Sequence, residues 1–244
     1  MKFVVNEKNG IFLATQDNLD EKILREQILN ADACISDLDD TDAQSPAKDL
    51  AFGCLTDKDY LLDGNFCVWC LRSLGKLVIE GKRAESETWS DFVNKFLRDQ
   101  KNVEKAKKRF NEEKVKKLVY PGVKELYSKL GKARKAYFSR NIKEVAKIFG
   151  DFLGFSDVES EVYDKDRATM RFVTENPWLK RYFIRGDSEE DAEILKVLKF
   201  FKKRGRIDYY VGCYVVKRPD DRHFNERFHL SSSRDATGLV RFLN

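Results

Sequence analysis

The sequence has no long apolar run. None of its segments reaches the roughly 18 consecutive apolar residues that a membrane-spanning helix requires. Residues 1–16 carry two short apolar runs around Asn9 and Gly10, which is typical of a β-hairpin, and they lack the longer apolar core of a signal peptide. We therefore expect a soluble, cytoplasmic protein that begins with a hairpin at residues 1–16.

The sequence also lacks a paired set of cysteines. Its five cysteines are an odd number spread along the chain, which argues against a disulfide framework and favours reduced thiols. Cys67 and Cys70 have the spacing of a metal or redox motif, but zinc needs about four ligands. Cys54 could supply a third, whereas His223 and His229 are distant in sequence. Because its neighbours are apolar, we expect the Cys67–Cys70 pair to pack inside a helical segment.

A strong excess of one charge is missing too. Charged residues make up 36% of the chain, yet the formal net charge is only +5. This bias is too small to indicate a nucleic-acid-binding protein, although a local site for a small anion remains compatible with it. Residues 100–118 are basic, but Glu104, Glu112 and Glu113 lie among the lysines. We interpret this stretch as a solvated helix face with internal ion pairs rather than as a phosphate-binding or nucleic-acid-binding surface.

What the sequence does contain is a regular alternation of short apolar runs and amphipathic segments. Its 244 residues suffice for two domains, or for one domain with a large insertion. The alternation predicts an α/β fold with a doubly wound, Rossmann-like parallel sheet. The predicted strands cover 31–36, 135–139, 159–163 and 181–187, and the predicted helices cover 122–130, 142–153, 167–175 and 188–203.

Each predicted strand ends at chemically active side chains. The segment ISDLDDTD supplies Asp37 and Asp39 after the first strand, Ser139 ends the second, Lys165 follows the third and Asp187 ends the fourth. The carboxyl ends of parallel strands meet at one edge of a sheet, where ligands bind. Carboxylates, a hydroxyl and an ammonium would repel or stay unpaired in an ordinary core, but they suit a divalent cation and a phosphate. The alternative is that these side chains only cap helices or lie in solvated turns. It would require polar residues to follow all four predicted strands by coincidence.

These residues resemble the motifs of the haloacid dehalogenase (HAD) superfamily. Asp37–Thr41 (DLDDT) is similar to the DxDxT motif of that family, Ser139 to its second motif and Lys165 to its third. The segment GDSEED, Gly186–Asp191, is similar to the fourth motif, GDxxxD. One departure is Asp42, which stands where the family often has an apolar residue. The resemblance implies a HAD-type α/β core.

The likeness covers residues 31–56 and 118–244, and the segment at 120–130 resembles the one that usually leads into the second motif. We therefore expect a core made of residues 1–56 and 118–244. The remaining residues, 57–117, have helical periodicity and are expected to form a helical cap. One face of that cap carries Trp89, Phe92, Val93, Phe96 and Leu97 at spacings of three and four residues.

The resemblance also implies a set of residue roles. Asp37 would be the nucleophile that forms an aspartyl phosphate, and Asp39 would protonate the leaving oxygen and then activate water. Mg²⁺ would be held by Asp37, the backbone carbonyl of Asp39 and Asp187. Asp191, also predicted at the metal site, would orient it from further out. The implied cofactor is thus Mg²⁺.

Ser139 and Lys165 would stabilise the transferred phosphoryl group, whose spread negative charge makes electrostatics the main catalytic effect. Thr41 would support the loop after the first strand. Lys180 is the competing lysine, but it precedes the strand that ends at Asp187. At roughly 3.3 Å per residue, Lys180 would start about 20 Å from the carboxyl edge. We therefore predict Lys165.

Asp39 decides between the reactions of the family. Members that displace halide generally lack the second aspartate, so its presence favours phosphoryl chemistry. We predict a phosphatase for a small phosphorylated metabolite, because a cap closing over the site would exclude larger substrates. A phosphotransferase or mutase and a nucleic-acid end-processing phosphatase remain alternatives. A non-enzymatic binding module would have no need for the intact set of site residues.

Overall fold

The structure is a computed structural model in which mainly the α/β part of the chain is described. Most of the predicted cap, including the face formed by residues 89–97 and Cys70, lies outside the described residues. The described residues are 2–6, 11–15, 20–44, 46, 49, 67, 68, 71, 72, 75, 104, 108–160, 162, 164–216 and 228–244, with side chains from residue 20 onward.

One sheet of eight strands forms the centre of the fold, in the order β1-β2-β8-β7-β6-β3-β4-β5. The six strands from β8 to β5 are parallel, whereas β2 runs antiparallel to β8 and pairs with β1 inside the predicted hairpin. The predicted α/β parallel-sheet fold is confirmed. The strands are β1 (Lys2–Asn6), β2 (Ile11–Thr15), β3 (Ala33–Ser36), β4 (Arg134–Phe138), β5 (Asp157–Glu159), β6 (Arg181–Gly186), β7 (Tyr209–Val216) and β8 (Leu230–Ser233).

Helices cover both faces of the parallel part, which explains why the central strands are continuously apolar. Two separate clusters of buried side chains result, one between the sheet and α1, α3, α4 and α7, the other between the sheet and α5 and α6. Helix α2 packs beside α4, where the rings of Phe110 and Phe149 meet edge to face. The described helices are α1 (Glu21–Leu29), α2 (Glu112–Leu118), α3 (Val123–Lys129), α4 (Lys143–Leu153), α5 (Lys165–Glu175), α6 (Glu189–Lys203) and α7 (Thr237–Phe242).

The strand order reverses between β3 and β6. From β3 the chain proceeds through β4 to β5 on one side, and from β6 it proceeds through β7 to β8 on the other. Such a switch point opens a crevice beyond the carboxyl ends of the two central strands. The fold therefore places the residues after β3 and β6 on either side of one crevice.

The predicted strand at 159–163 is wrong in position. The strand β5 is Asp157–Glu159, and among the described strands its one partner is β4, with Ala136 opposite Asp157. The alternation of polar and apolar residues fits either range, so only the pairing with β4 fixes the register. Further along, Val162 donates its backbone N–H to the carbonyl of Ser139. The strands β7 and β8 were not among those predicted from the sequence.

The expected burial of the helical segment around Cys67–Cys70 is wrong for Cys67, Val68 and Leu71. Cys67 is exposed, and Val68 and Leu71 are 49% and 72% exposed. Leu71 lies four positions after Cys67 and three after Val68, so it shares a helix face with both, and that face is open to solvent.

In the described part of the basic stretch at 100–118, the expected internal ion pairing is seen for Lys117, whereas Lys114 and Arg109 pair with an aspartate outside the stretch. Lys117 pairs with Glu113 one helical turn away, at 2.7 Å. Lys114 and Arg109 both contact Asp49, at 2.9 and 3.2 Å.

Within the described residues, no helix is long and apolar enough to cross a membrane.

Candidate active site

The site begins where β3 ends. The backbone N–H of Asp37 donates to the carbonyl of Arg185 (3.1 Å), which extends the pairing of β3 with β6 by one residue. The side chain of Asp37 is largely buried at the crevice, and its Oδ1 accepts a hydrogen bond from Lys165 Nζ at 3.1 Å. Lys165 is the first residue of α5, preceded by the cap residue Asp164. Two residues far apart in sequence thus meet at the switch point.

Three carboxylates form the centre of the site. Ligand oxygens of Asp37, Asp187 and Asp191 all lie within 4.8 Å of one another. Lys165 Nζ contacts two of these side chains, at 3.1 Å to Asp37 and 2.6 Å to Asp191. One ammonium faces three carboxylates, and carboxylate oxygens are the ligands that Mg²⁺ prefers. The donor set therefore fits a divalent cation.

Burial governs the ionisation of the two paired groups. It raises the pKa of the Asp37 carboxyl well above its usual range, Lys165 opposes this, and the charges of Asp191, Asp187 and Asp39 add to it. Burial lowers the pKa of Lys165, but Asp191 and Asp37 outweigh burial, so that its pKa is raised and it stays an ammonium. The protein alone therefore leaves negative charge at this site incompletely compensated, and a cation would compensate it.

Asp191 holds the other parts of the site in place. Its Oδ2 accepts hydrogen bonds from the backbone N–H groups of Asp187 and Ser188, both at 3.0 Å, and its Oδ1 accepts from Lys165. Ser188 caps α6 in return, forming a capping box with Asp191. A Cβ at Gly186 would lie 2.3 Å from Cγ of Asp191, so only glycine fits there. Both carboxylate oxygens of Asp191 have protein partners, an arrangement suited to orienting Asp187 and Lys165.

The second aspartate of the motif lies at the same edge with a partner that the sequence analysis missed. Asp39 Oδ2 accepts a hydrogen bond from Asn141 Nδ2 at 3.0 Å. The backbone N–H of Asn141 donates to Ser139 Oγ at 3.1 Å, and both Ser139 and Asn141 are fully buried. Asn141 thus connects the two predicted catalytic residues. The sequence signal that could have identified Asn141 is its position two residues after Ser139.

Two further predicted residues have clear positions. Thr41 Oγ1 donates to Asp187 Oδ1 at 3.1 Å, so it supports a predicted metal ligand and not the loop alone. Lys180 lies at the opposite end of β6, where its Nζ donates to the carbonyl of Arg206 at 2.9 Å. The structure therefore brings Asp37, Asp39, Ser139, Lys165, Asp187 and Asp191 to one edge of the sheet and places Lys180 at the other.

Comparison with known proteins gives a likeness of fold only. No protein-family model and no curated protein matches the chain. Among solved structures, the chain is similar to YfnB from Bacillus subtilis, assigned to the HAD-hydrolases and crystallised bound to magnesium. The match has 16% identity and a TM-score of 0.48 and covers 88% of this chain and 99% of that one. A likeness of this size says nothing about the reaction of the present chain.

Proposed function

We propose that the protein is a HAD-type, Mg²⁺-dependent phosphatase that hydrolyses a phosphate monoester through an aspartyl phosphate on Asp37. The observation that carries the proposal is the contact of Lys165 with Asp37 and Asp191, beside Asp187, at the switch point of the sheet. This arrangement joins a carboxylate nucleophile, a cation site and a fixed positive charge in one crevice. Those three parts are what phosphoryl transfer needs.

The first half of the reaction uses Asp37 and Asp39. A carboxylate oxygen of Asp37 attacks phosphorus while the bond from phosphorus to the leaving oxygen breaks, and Asp39 gives that oxygen a proton. Asn141, which donates to Asp39 Oδ2, holds this carboxyl in place for the transfer. The products are the free alcohol and a phosphoryl group bonded to Asp37.

The second half regenerates the enzyme. Asp39, now ionised, takes a proton from water, the oxygen of that water attacks phosphorus, and the bond from phosphorus to Asp37 breaks to release phosphate. Lys165 and the buried hydroxyl of Ser139 stabilise the charge on the phosphoryl oxygens. Asp37, Asp187 and the backbone carbonyl of Asp39 would hold Mg²⁺, which would supply further positive charge beside the phosphoryl group. Hydrolysis by water thus returns Asp37 to its free carboxylate and completes the catalytic cycle.

A direct test uses a generic aryl phosphate with purified protein. We expect phosphate release in the presence of Mg²⁺, loss of release in excess chelator, and loss of release in an Asp37→Asn variant that keeps its fold. Asp151→Asn is the matched control, since Asp151 is an exposed aspartate of α4. Equal turnover in Asp37→Asn and in the control, or turnover unaffected by chelator, would refute the proposal.

A further inference from the structure

A buried ion pair lies directly beneath the proposed catalytic loops. Arg185, the penultimate residue of β6, pairs with Asp42 through Nη1, and both side chains are completely buried. Asp42 is the residue that departs from the apolar position of the HAD-like motif. Arg185 had no predicted role. Two charged side chains outside the proposed chemistry therefore meet in the core next to it.

Hydroxyl groups surround the carboxylate of this pair. Asp42 accepts hydrogen bonds from Tyr127 (2.6 Å to Oδ2), from Tyr137 (2.8 Å) and from Ser36 Oγ (3.1 Å). Ser36 belongs to β3, Tyr137 to β4, Tyr127 to α3 and Arg185 to β6. Asp42 is thus the point at which three strands and one helix are joined by polar contacts.

Stability alone does not account for this pair. Burying two charges costs several kcal/mol each in desolvation, and a buried ion pair is often no more stable than apolar residues of similar volume. Within the described part of the chain, Nε and Nη2 of Arg185 have no hydrogen-bond partner, which adds to the cost. Such a pair does, however, fix the relative position of the two backbone segments that carry its side chains.

Those groups are the two ends of the nucleophile loop, residues 37–43. Arg185 receives the backbone N–H of Asp37 at its carbonyl, at 3.1 Å, and holds Asp42 with its guanidinium. The loop is closed internally because the N–H of Asp42 donates to the carbonyl of Leu38, at 3.1 Å. One residue of β6 therefore anchors both the beginning and the end of this loop.

We propose that Arg185 and Asp42 are positioning residues, which hold the nucleophile loop against β6 so that Asp37 and Asp187 face the same cation. The effect on turnover rests on the function proposed above, whereas the effect on the loop does not. Neither residue touches the substrate in this scheme. Loss of the pair acts through the position of Asp37.

The chain offers a matched control on the same two strands. At their amino ends, Arg181 of β6 donates to Asp32 Oδ1 through Nε (3.0 Å) and Nη2 (2.5 Å). Asp32 directly precedes β3, and this pair is partly exposed. It joins the same strands at the edge opposite to the site. Identical substitutions at the two pairs therefore separate positioning of the loop from general stability.

The experiment compares Arg185→Met/Asp42→Asn with Arg181→Met/Asp32→Asn. Hydrogen–deuterium exchange of a peptide covering residues 37–43 reports the loop directly, and aryl phosphate turnover with Mg²⁺ reports its consequence. For the first variant we expect exchange in the loop about tenfold faster and kcat about tenfold lower, with KM nearly unchanged. For the control we expect wild-type loop exchange and turnover, even if its melting temperature falls.

Wild-type loop exchange in Arg185→Met/Asp42→Asn, or equal losses in both variants, would overturn the proposal. If the first variant does not fold, Arg185→Lys keeps the charge without the planar fork of donors, and it must still show faster loop exchange than wild type. Absence of turnover in the wild-type protein would refute the proposed phosphatase instead. The exchange comparison would then still decide whether the pair holds the loop.

Discussion

Arg234 Nη2 lies 3.1 Å from Asp40 Oδ1, so that the end of β8 is connected to the turn directly after Asp39. Asp40 is the one non-glycine residue with positive φ (60°) in the described part of the chain. The guanidinium of Arg234 also lies over the ring of Tyr120, 5.6 Å from its centroid. Tyr120 in turn donates its backbone N–H to Asp42. Arg234 thus holds a turn whose left-handed backbone is uncommon for a residue other than glycine.

Arg234→Ala is expected to lower aryl phosphate turnover. A partly buried ion pair contributes about 1 kcal/mol, which corresponds to roughly a fivefold loss if the turn no longer holds Asp39. Adding Asp40→Gly should restore part of the loss, because glycine adopts positive φ without strain. Arg241→Ala, in the exposed part of α7, is the control. No recovery in the double variant would show that the backbone of the turn is not the cause.

Lys165 and Lys180 should differ sharply in catalysis. Lys165→Ala removes the buried ammonium that contacts Asp37 and Asp191, and we expect at least about a tenfold loss of kcat, equivalent to 1.4 kcal/mol of barrier. Lys180→Ala removes a contact to the carbonyl of Arg206 at the far end of β6 and should leave kcat unchanged. Steady-state kinetics of the two variants tests this. A larger loss for Lys180→Ala would contradict the proposed site.

Mg²⁺ should stabilise the protein by binding to the Asp37 and Asp187 carboxylates, next to Asp191. At a concentration of about 100 Kd, binding adds about 2.7 kcal/mol, or roughly 5–10 °C in Tm for a chain of this size. Asp187→Asn should abolish the shift and raise Tm without metal, since it removes one of three mutually repelling charges. Thermal unfolding with and without Mg²⁺ measures both effects. A full Mg²⁺ shift in Asp187→Asn, with Asp151→Asn as the reference, would exclude Asp187 as a ligand.

His229 should make the protein less stable in mild acid. Burial, with help from the charge of Lys202, lowers the pKa of His229 to about 4, and its Nδ1 accepts the backbone N–H of Gly212 at 3.1 Å. The folded state disfavours the imidazolium, so the contribution of neutral His229 to the free energy of unfolding is fully present above the ordinary pKa of about 6.5. As pH falls from there through about 4, the free energy of unfolding decreases by roughly 3 kcal/mol.

Urea unfolding at several pH values, compared with His229→Asn, measures this loss. Asparagine can still accept the hydrogen bond from Gly212 but cannot be protonated in this range. We therefore expect a shallower decline in the free energy of unfolding between pH 6.5 and 4 in the variant. Parallel declines in both proteins would show that other groups control acid stability.

The expected substrate is a small phosphorylated metabolite, and the size of the substrate can be varied directly. Catalytic efficiency should be higher for small phosphate esters than for a phosphopeptide segment in a folded protein or an end-phosphorylated oligonucleotide, because a closing cap limits access. Most of residues 57–117, which would form that cap, lie outside the described residues. A preference of about tenfold for either macromolecule would favour residues 100–118 as a docking surface instead.

Much of the proposed site could be predicted because its residues follow strands that the sequence marks clearly. Asp37 and Asp187 come directly after buried apolar runs, and the carboxyl ends of parallel strands converge whatever their order. Lys165 was predicted from the same rule although its strand was misplaced by two residues at its start. The prediction of Lys165 was unaffected by this error, because Lys165 is the first residue of the helix that follows the strand.

The sequence by itself determined the alternation of strands and helices and the identity of the carboxylates, because these depend on patterns within a few neighbouring residues. Only the tertiary structure decided the strand order, with its switch between β3 and β6, and the contacts across it. Arg185 and Asp42 are 143 residues apart. Taken singly, each is a charged residue of a type that usually lies at the protein surface. Their burial as a pair follows from the packing of β3, β6 and α3, since an isolated buried charge would be too costly.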